Sequence, residues 1–331
     1  MASPTSLPPA EPGRFLLLNE DEVQRVLTMD LALEAVEQGL RKMALDEVGL
    51  IPRQRAVTDH AMLHVMAATA KSLGVMGAKV YTVPRKTPPL FLIPLFDGRT
   101  GALLSLMQAD YLGQVRTGAA TGIATKYMAR PDAARVGVYG SGLQARTQLE
   151  AICRVRPIQQ AVVWSPTEER RQAFAREMAE KCGIVVTAAD RPEQAAEGMD
   201  VIVTATSSRD PVLFGAWVPA GCHVNAIGSN FLSKAEIDTE VVRKAADVVV
   251  DSKDQARLEA GDFVKAIEGG LLRWADVREL GQVIVGRYAV RKRPEDVTLF
   301  KSVGIAIEDV ALAARVYQAA VAAGVGRTVS W

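Results

Sequence analysis

Two hydrophobic periods run along this chain, and one gives way to the other near Pro131. From Glu20 apolar residues recur at helical spacing. Val23, Val26 and Leu27 make a short stripe that Asn19 or Asp21 could cap, and Leu31, Ala35, Val36, Leu40 and Met43 make a longer one across 29–46. Strand-like runs follow at 62–67, 77–83 and 90–96. The last ends in Asp97-Gly98-Arg99-Thr100-Gly101, a turn signal ahead of apolar 102–107, which predicts a hairpin in an antiparallel or mixed sheet. A long helix is expected over 109–128, stopped before Pro131 because the residue preceding a proline leaves the α region.

Beyond Pro131 short apolar strands alternate with helices. The strands fall at 135–139, 160–164, 184–187, 201–204, 223–226 and 247–250. Regular alternation of this kind predicts a parallel sheet joined by crossover helices, so the fold class is α/β with a Rossmann-type doubly wound sheet. An apolar helix over 303–323 and a short strand over 326–331 end the chain.

Composition narrows the partners more than the chemistry. With 331 residues, two domains are expected. Hydrophobic residues at 49% and charged residues at 23% suit a soluble globular protein with a sizeable core. Lys and Arg number 39 against 38 Asp and Glu, so no general field favours nucleic acid or an anionic membrane. No apolar run reaches the roughly 18 residues of a membrane span. Cys153, Cys182 and Cys222 lack metal-ligand spacing and read as buried thiols, and three histidines argue against a histidine-rich metal centre. Residues 1–13 are rich in proline, serine and alanine without the pattern of a secretory signal, and read as a disordered lead-in to a cytoplasmic protein.

The sharpest local signal is Gly140-Ser141-Gly142-Leu143-Gln144-Ala145, which follows the apolar strand at 135–139 and opens a helix. This is G-x-G-x-x-A in the strand, turn and helix order that a dinucleotide pyrophosphate needs. Gly140 permits the tight turn, Gly142 lets backbone approach the phosphates, and Ala145 allows close packing of helix on strand. The helix N-terminus then offers free N–H groups and partial positive charge. A glycine-rich turn of some other doubly wound fold is the bland alternative. The second strand leads into Trp164-Ser165-Pro166-Thr167-Glu168-Glu169-Arg170-Arg171, where an NAD-preferring site would carry an acid. Ser165 and Thr167 can hydrogen-bond a phosphate and Arg170 or Arg171 can pair with it, which leans towards NADP; equally, the arginines could solvate an exposed helix.

Four segments together resemble the ornithine cyclodeaminase/mu-crystallin family, which includes ketimine reductases and an archaeal type of alanine dehydrogenase. They are Gln114-Val115-Arg116-Thr117-Gly118-Ala119-Ala120, the glycine turn at 140–145, His223-Val224-Asn225-Ala226-Ile227-Gly228-Ser229, and Lys301-Ser302-Val303-Gly304-Ile305-Ala306-Ile307-Glu308-Asp309. The resemblance runs from Phe15 onward. It implies a discontinuous α+β substrate and dimerisation domain, 14–130 plus 305–331, with a Rossmann domain inserted at 131–304, and a homodimer. It also implies basic residues on a substrate carboxylate, at positions matching Arg53, Lys79 and Arg116, and a dinucleotide touched by Thr117, 140–145 and Gly228. Charge-assisted donors suit a carboxylate, each bond contributing about 1.5–3 kcal/mol. Lys79 stands out because its neighbours are apolar and an unpaired charge there would be costly; Arg116 alone could be a surface ion pair.

Two departures shape the expected reaction. Cyclodeaminases carry an acid where this chain has His64, and an aspartate where it reads Ser229-Asn230. Asn230 cannot act as a general base near neutral pH, which argues against conversion of ornithine to proline. Reduction of a ready-made C=N bond needs less: a held carboxylate, a hydride donor and one proton source, for which His64 is a candidate besides Lys79. A buried, hydrogen-bonded strand histidine is the plain alternative. Asn230 could orient the imine nitrogen or merely cap the next segment. Thr206, Ser207 and Asn225 are expected to line the nicotinamide side, or to make ordinary strand-end hydrogen bonds.

The resulting expectation is an NAD(P)H-dependent reductase of a small ketimine such as a cyclic imine carboxylate, reversible as an amino-acid dehydrogenase. A cyclodeaminase that recycles NAD comes second. A mu-crystallin-like binder of small aromatic ligands comes third, because aromatics are 5% of the chain and none clusters in sequence near Arg53, Lys79 or Arg116. The loops at 81–89 and 231–236 are expected to shape the pocket for the substrate side chain.

Overall fold

Two sheets organise the chain. The computed structural model describes residues 13–330, so most of the lead-in expected over 1–13, and Trp331, lie outside the described residues. Strand β1 (Arg14–Leu18) opens the fold. Asn19 then caps α1 (Glu20–Val26) with a complete capping box: its side chain accepts from the Glu22 N–H at 3.0 Å, and the Glu22 carboxylate accepts from the Asn19 N–H at 2.8 Å. Thr28 caps α2 (Met29–Ala44), which buries Ala32, Ala35, Val36 and Leu40. Strands β2 (Val48–Val57), β3 (Ala61–Ala70), β4 (Val75–Pro84), β5 (Leu90–Asp97) and β6 (Leu103–Gln108) then pair antiparallel, each with the next. The expected turn between β5 and β6 is made by Asp97, whose carboxylate accepts from the N–H groups of Arg99 (2.8 Å) and Thr100 (2.9 Å). Helix α3 (Asp110–Met128) follows.

The chain divides into two compact units, residues up to 116 with those from 305 onward, and 117–304. The forward boundary lies inside α3 and not at Pro131. From Thr117 the helix belongs to the second unit, where Gly118 lies so close to the Thr147 carbonyl that a Cβ would collide with it.

The second unit runs β7 (Arg135–Tyr139), α4 (Leu143–Val155), β8 (Gln160–Trp164), α5 (Glu168–Cys182), β9 (Val185–Ala188), β10 (Val201–Thr204), β11 (His223–Ala226), α6 (Thr239–Lys244), β12 (Ala245–Val250), α7 (Lys253–Glu259), α8 (Gly261–Glu268), β13 (Arg278–Glu279), α9 (Leu280–Ile284) and β14 (Val297–Lys301). Its sheet is parallel throughout, in the order β13-β12-β14-β11-β10-β7-β8-β9. The direction of winding reverses between β7 and β10, so the crevice at their carboxyl ends is the switch point where such sheets take ligands. Strand β14, wholly buried between β11 and β12, extends the sheet beyond the six strands expected.

Helix α10 (Ala306–Ala323) and β15 (Arg327–Ser330) return to the first unit. There β15 pairs antiparallel with β1, and β1 pairs parallel with β6, giving the order β15-β1-β6-β5-β4-β3-β2. This mixed sheet carries α2 and α10 on one face. Gly39 makes room for Ala311 and Ile307 of α10, and Gly77 for Val310. Cys222 is buried as expected, but Cys153 and Cys182 are only half-buried. Among the described residues no helix is long and apolar enough to cross a membrane.

Candidate active site

Strand alternation aims Lys79 inward. On β4 the buried positions are Val75, Gly77, Lys79 and Tyr81, so the lysine shares the helix-covered face with two close-packed neighbours. It is 3% exposed, and its Nζ donates to Asp309 Oδ1 at 2.8 Å. The Arg116 Nε lies 3.1 Å from the same carboxylate oxygen, and Arg116 Nη1 donates to Glu308 Oε2 at 2.8 Å. Arg116 is therefore no surface ion pair. A Cβ on Gly113 of α3 would come within 2.9 Å of Lys79 Nζ, so the glycine is what lets the ammonium reach this place. Burial brings the Lys79 pKa down to about 8 against the opposing pull of Asp309. Burial raises the Asp309 pKa, but Arg116 and Lys79 outweigh it and leave the carboxyl below its usual range. Arg53, buried on β2, adds a third cation whose field is felt at Lys79, Asp309 and His64.

His64 takes a different place from the one expected of a proton donor. It is buried and stacked on Tyr81, its register partner on β4, and Tyr81 in turn stacks on Phe91 of β5 at 5.0 Å. Burial, then the charges of Arg55 and Arg53, push the imidazole down to about 4, so it is neutral near pH 7. Lys79 Nζ lies 5.9 Å from the Tyr81 ring centre and 5.6 Å from that of Phe91. An aromatic cluster that no run of sequence near Lys79 displays is thus assembled beside it in space. The three rings are far apart in sequence and only strand register assembles them. Tyr81 lies within β4, in keeping with the strand-like run at 77–83 and not with the loop expected over 81–89.

In the second unit the glycine turn has the form the motif requires. Gly140 sits at φ +107°, where a side chain would be strained and its Cβ would strike the Ala205 carbonyl. Gly142 is the N-cap of α4, makes no side-chain cap, and has open space where a Cβ would stand. Ala145 is fully buried while Leu143 is exposed and Gln144 half-buried. The uncapped first turn beside empty space fits a pyrophosphate. Ser141 and Ser165 are brought together, their hydroxyl oxygens 2.9 Å apart. Thr167 and Arg170 are exposed, whereas Arg171 turns inward to the Ser165 carbonyl at 3.3 Å.

Thr206 and Gly228 also converge, through a residue the sequence reading passed over. Buried Glu236 accepts from the Thr206 N–H (2.6 Å), the Thr206 hydroxyl (2.7 Å), the Thr204 hydroxyl (2.9 Å) and the Gly228 N–H (2.6 Å), tying the ends of β10 and β11 together. Behind it Lys301 pairs with Asp262 at 2.8 Å and donates to the Ser229 carbonyl at 2.6 Å, fixing the segment that leads into half-buried Asn230. Glu236 lies in a loop with no motif, so nothing in the sequence marks it. Ser207 is exposed. Asn225 does not line an open face: it is fully buried, its amide donates to the Thr125 hydroxyl at 3.2 Å, and its oxygen lies 3.1 Å from His223 Nε2. Thr117 is buried at the start of the second unit's share of α3. Among the described residues no cluster of His, Cys, Asp and Glu is arranged to hold a metal.

The arrangement can bind a carboxylate and supply a proton in one unit and cradle a dinucleotide in the other. Known proteins resemble this chain in sequence and fold along nearly its whole length. A delta(1)-pyrroline-2-carboxylate reductase from Bacillus cereus is 33% identical over 329 residues, covering 96% of this chain and all of its own. The solved structure of the Thermococcus litoralis delta(1)-pyrroline-2-carboxylate reductase, in complex with NADH and L-proline, superposes with a TM-score of 0.90 at 33% identity, covering 95% of this chain and 100% of that one. An archaeal alanine dehydrogenase dimer with bound NAD gives 0.90 at 35%, covering 96% and 99%. The family model for ornithine cyclodeaminase/mu-crystallin proteins matches residues 15–324, and the chain belongs to that family.

Proposed function

We propose that this protein is an NAD(P)H-dependent reductase of a small cyclic imine carboxylate, yielding a cyclic amino acid and able to run in reverse as an amino-acid dehydrogenase. The observation that carries the reading is the buried Lys79 ammonium, poised near pH 8 among Arg116 and Arg53. A carboxylate next to the C=N carbon would be attracted to this group of cations, Arg116 presenting a planar guanidinium and Lys79 its donors not spent on Asp309. Gly140, Gly142 and the first turn of α4 would hold the pyrophosphate of a reduced nicotinamide dinucleotide, which when bound would supply the hydride for the imine carbon. Lys79 delivers the proton to the imine nitrogen and is left as a neutral amine. His64, held neutral, packs the wall of the pocket with Tyr81 and Phe91.

The named relatives support this substrate class, and Ser229-Asn230, which puts an amide where cyclodeaminases carry an acid, disfavours ammonia elimination. We also propose a preference for NADP, because Ser165, Pro166 and Thr167 after β8 include no carboxylate and Arg170 is exposed beside them. The further proposal of a homodimer rests on the open face of the first sheet. There Ile51, Leu63 and Val65 are exposed around a groove of about 530 Å³ lined by Leu50, Ala67, Met76, Ala78 and Phe96. Three free thiols are in keeping with a cytoplasmic setting.

The test is loss of NADPH absorbance with delta(1)-pyrroline-2-carboxylate, run beside ornithine plus NAD assayed for ammonia. Turnover in the first supports the reductase; ammonia and proline from the second overturn it. NADH in place of NADPH checks the preference, and light scattering of Ile51→Arg against wild type checks the dimer.

A further inference from the structure

Two adjacent carboxylates stand behind the cations of the first unit. Glu308 and Asp309 occupy the third and fourth positions of α10, and both are fully buried. The helix N-terminus favours their ionised forms. Burying two acids is no route to stability in itself, since apolar residues of similar size generally serve as well. Their partners are the informative part. Asp309 Oδ1 is shared by Lys79 Nζ (2.8 Å) and Arg116 Nε (3.1 Å), whereas Glu308 Oε2 holds Arg116 Nη1 (2.8 Å) and accepts from the Ile305 N–H at 3.4 Å.

We propose that Asp309 is a positioning residue that keeps the Lys79 ammonium charged and aimed, while Glu308 orients the Arg116 fork, so that the two divide proton supply from carboxylate binding. The proposal rests on the reading of Lys79 as proton donor. The groups acting on Lys79 are Arg53 on β2, Tyr81 on its own strand, Phe91 on β5, Arg116 on α3 and Asp309 on α10, with His64 of β3 stacked on Tyr81 and Glu308 of α10 paired with Arg116. Burial, Arg116 and Arg53 all work against the charged amine; Asp309 works for it twice, through its charge and through its hydrogen bond. His64 is neutral and brings no charge near pH 7. Without the Asp309 charge the balance at Lys79 tips to the neutral form, and the arginine guanidinium loses its second anchor.

The experiment is the pH profile of kcat and kcat/KM for imine reduction by wild type, Asp309→Asn, Asp309→Glu and Glu308→Gln. In Asp309→Asn the alkaline limb should move at least about one unit to lower pH, with Asp309→Glu restoring it in part. Glu308→Gln should raise KM for the imine about ten-fold and leave the limb in place. A uniform loss in Asp309→Asn, with the limb unmoved, overturns the positioning role while leaving Lys79 as donor. Lys79→Arg that keeps both turnover and limb instead overturns the donor reading, and this proposal with it. Should Asp309→Asn not fold, Asp309→Ser, which also removes the charge, decides: a lowered kcat with the limb displaced to lower pH supports the role, and an unmoved limb overturns it.

Discussion

Tyr81 stacks on His64 with ring centres 4.2 Å apart and planes 11° from parallel, and the contact is a direct cross-strand pair. The stack is the basis for the proposal that His64 packs the pocket wall and transfers no proton. It is buried, its Nδ1 has no hydrogen-bond partner, and its pKa is near 4. His64→Phe should therefore keep the stack and hold kcat within about three-fold, because a general acid contributes about 10²–10⁴-fold and this ring is not one. Steady-state kinetics at pH 7 checks this; a loss of about 100-fold would return the imidazole to the donor's role.

The direction of catalysis should show in the pH dependence. Lys79 is lowered from 10.5 to about 8, so its charged, proton-giving form prevails below pH 8 and is lost above it. Imine reduction should accordingly fall about ten-fold per unit at high pH, while amino-acid oxidation, which needs the neutral amine, should rise across the same range and then level. Initial rates in both directions between pH 6 and 10 test the mirror relation, and two limbs of the same sign would contradict it.

Gly113 offers a separation of stability from activity. Its Cβ would stand 2.9 Å from Lys79 Nζ, the free end of a flexible side chain that can swing away. Alanine within a helix is favoured over glycine by about 0.5–1 kcal/mol. Gly113→Ala should melt at or above the wild-type temperature yet lose about ten-fold or more in kcat/KM. Thermal denaturation beside kinetics decides, and an unimpaired variant would mean that the ammonium has no fixed place.

The two glycines of the turn should separate in the same manner. Gly142→Ala meets no atom of the protein, so its stability should match wild type while dinucleotide affinity falls about ten-fold or more. Gly140→Ala is strained at φ +107° and collides with the Ala205 carbonyl, so it should lose stability as well. Fluorescence titration with NADPH and melting curves for both variants provide the comparison; equal stability losses would show that the space at Gly142 is not kept for the cofactor.

Period and turn chemistry made much of the scaffold legible. Strands β7, β8, β10 and β11 have the bounds expected of them, and α3 differs by one residue at its start. Strand β2 escaped because Pro52, Arg53, Gln54 and Arg55 break its alternation, and the register slips between Ile51 and Gln54. Strand β14 was hidden because Lys301, a charged residue, ends it in full burial. Among the candidate cations Lys79 alone was visible as a charge among apolar neighbours, Arg53 and Arg116 being implied by the family resemblance, and their anions were not visible. Glu308 and Asp309 look like ordinary first-turn helix acids, and only the return of α10 to the first sheet turns them into partners of Lys79 and Arg116. The His64, Tyr81 and Phe91 ladder depends on register, which composition cannot express.

That return has a consequence for biosynthesis. Synthesis proceeds from the N-terminus, so the strands bearing Arg53 and Lys79 leave the ribosome well before α10 and β15, and the whole 117–304 unit is completed in between. Until α10 emerges, the nascent first sheet lacks the helix that covers its inner face, and Lys79 and Arg116 lack the counter-charges that its first turn brings. The inserted unit can fold while the first waits, and Lys79 gains its ion pair only once the chain beyond residue 305 is made.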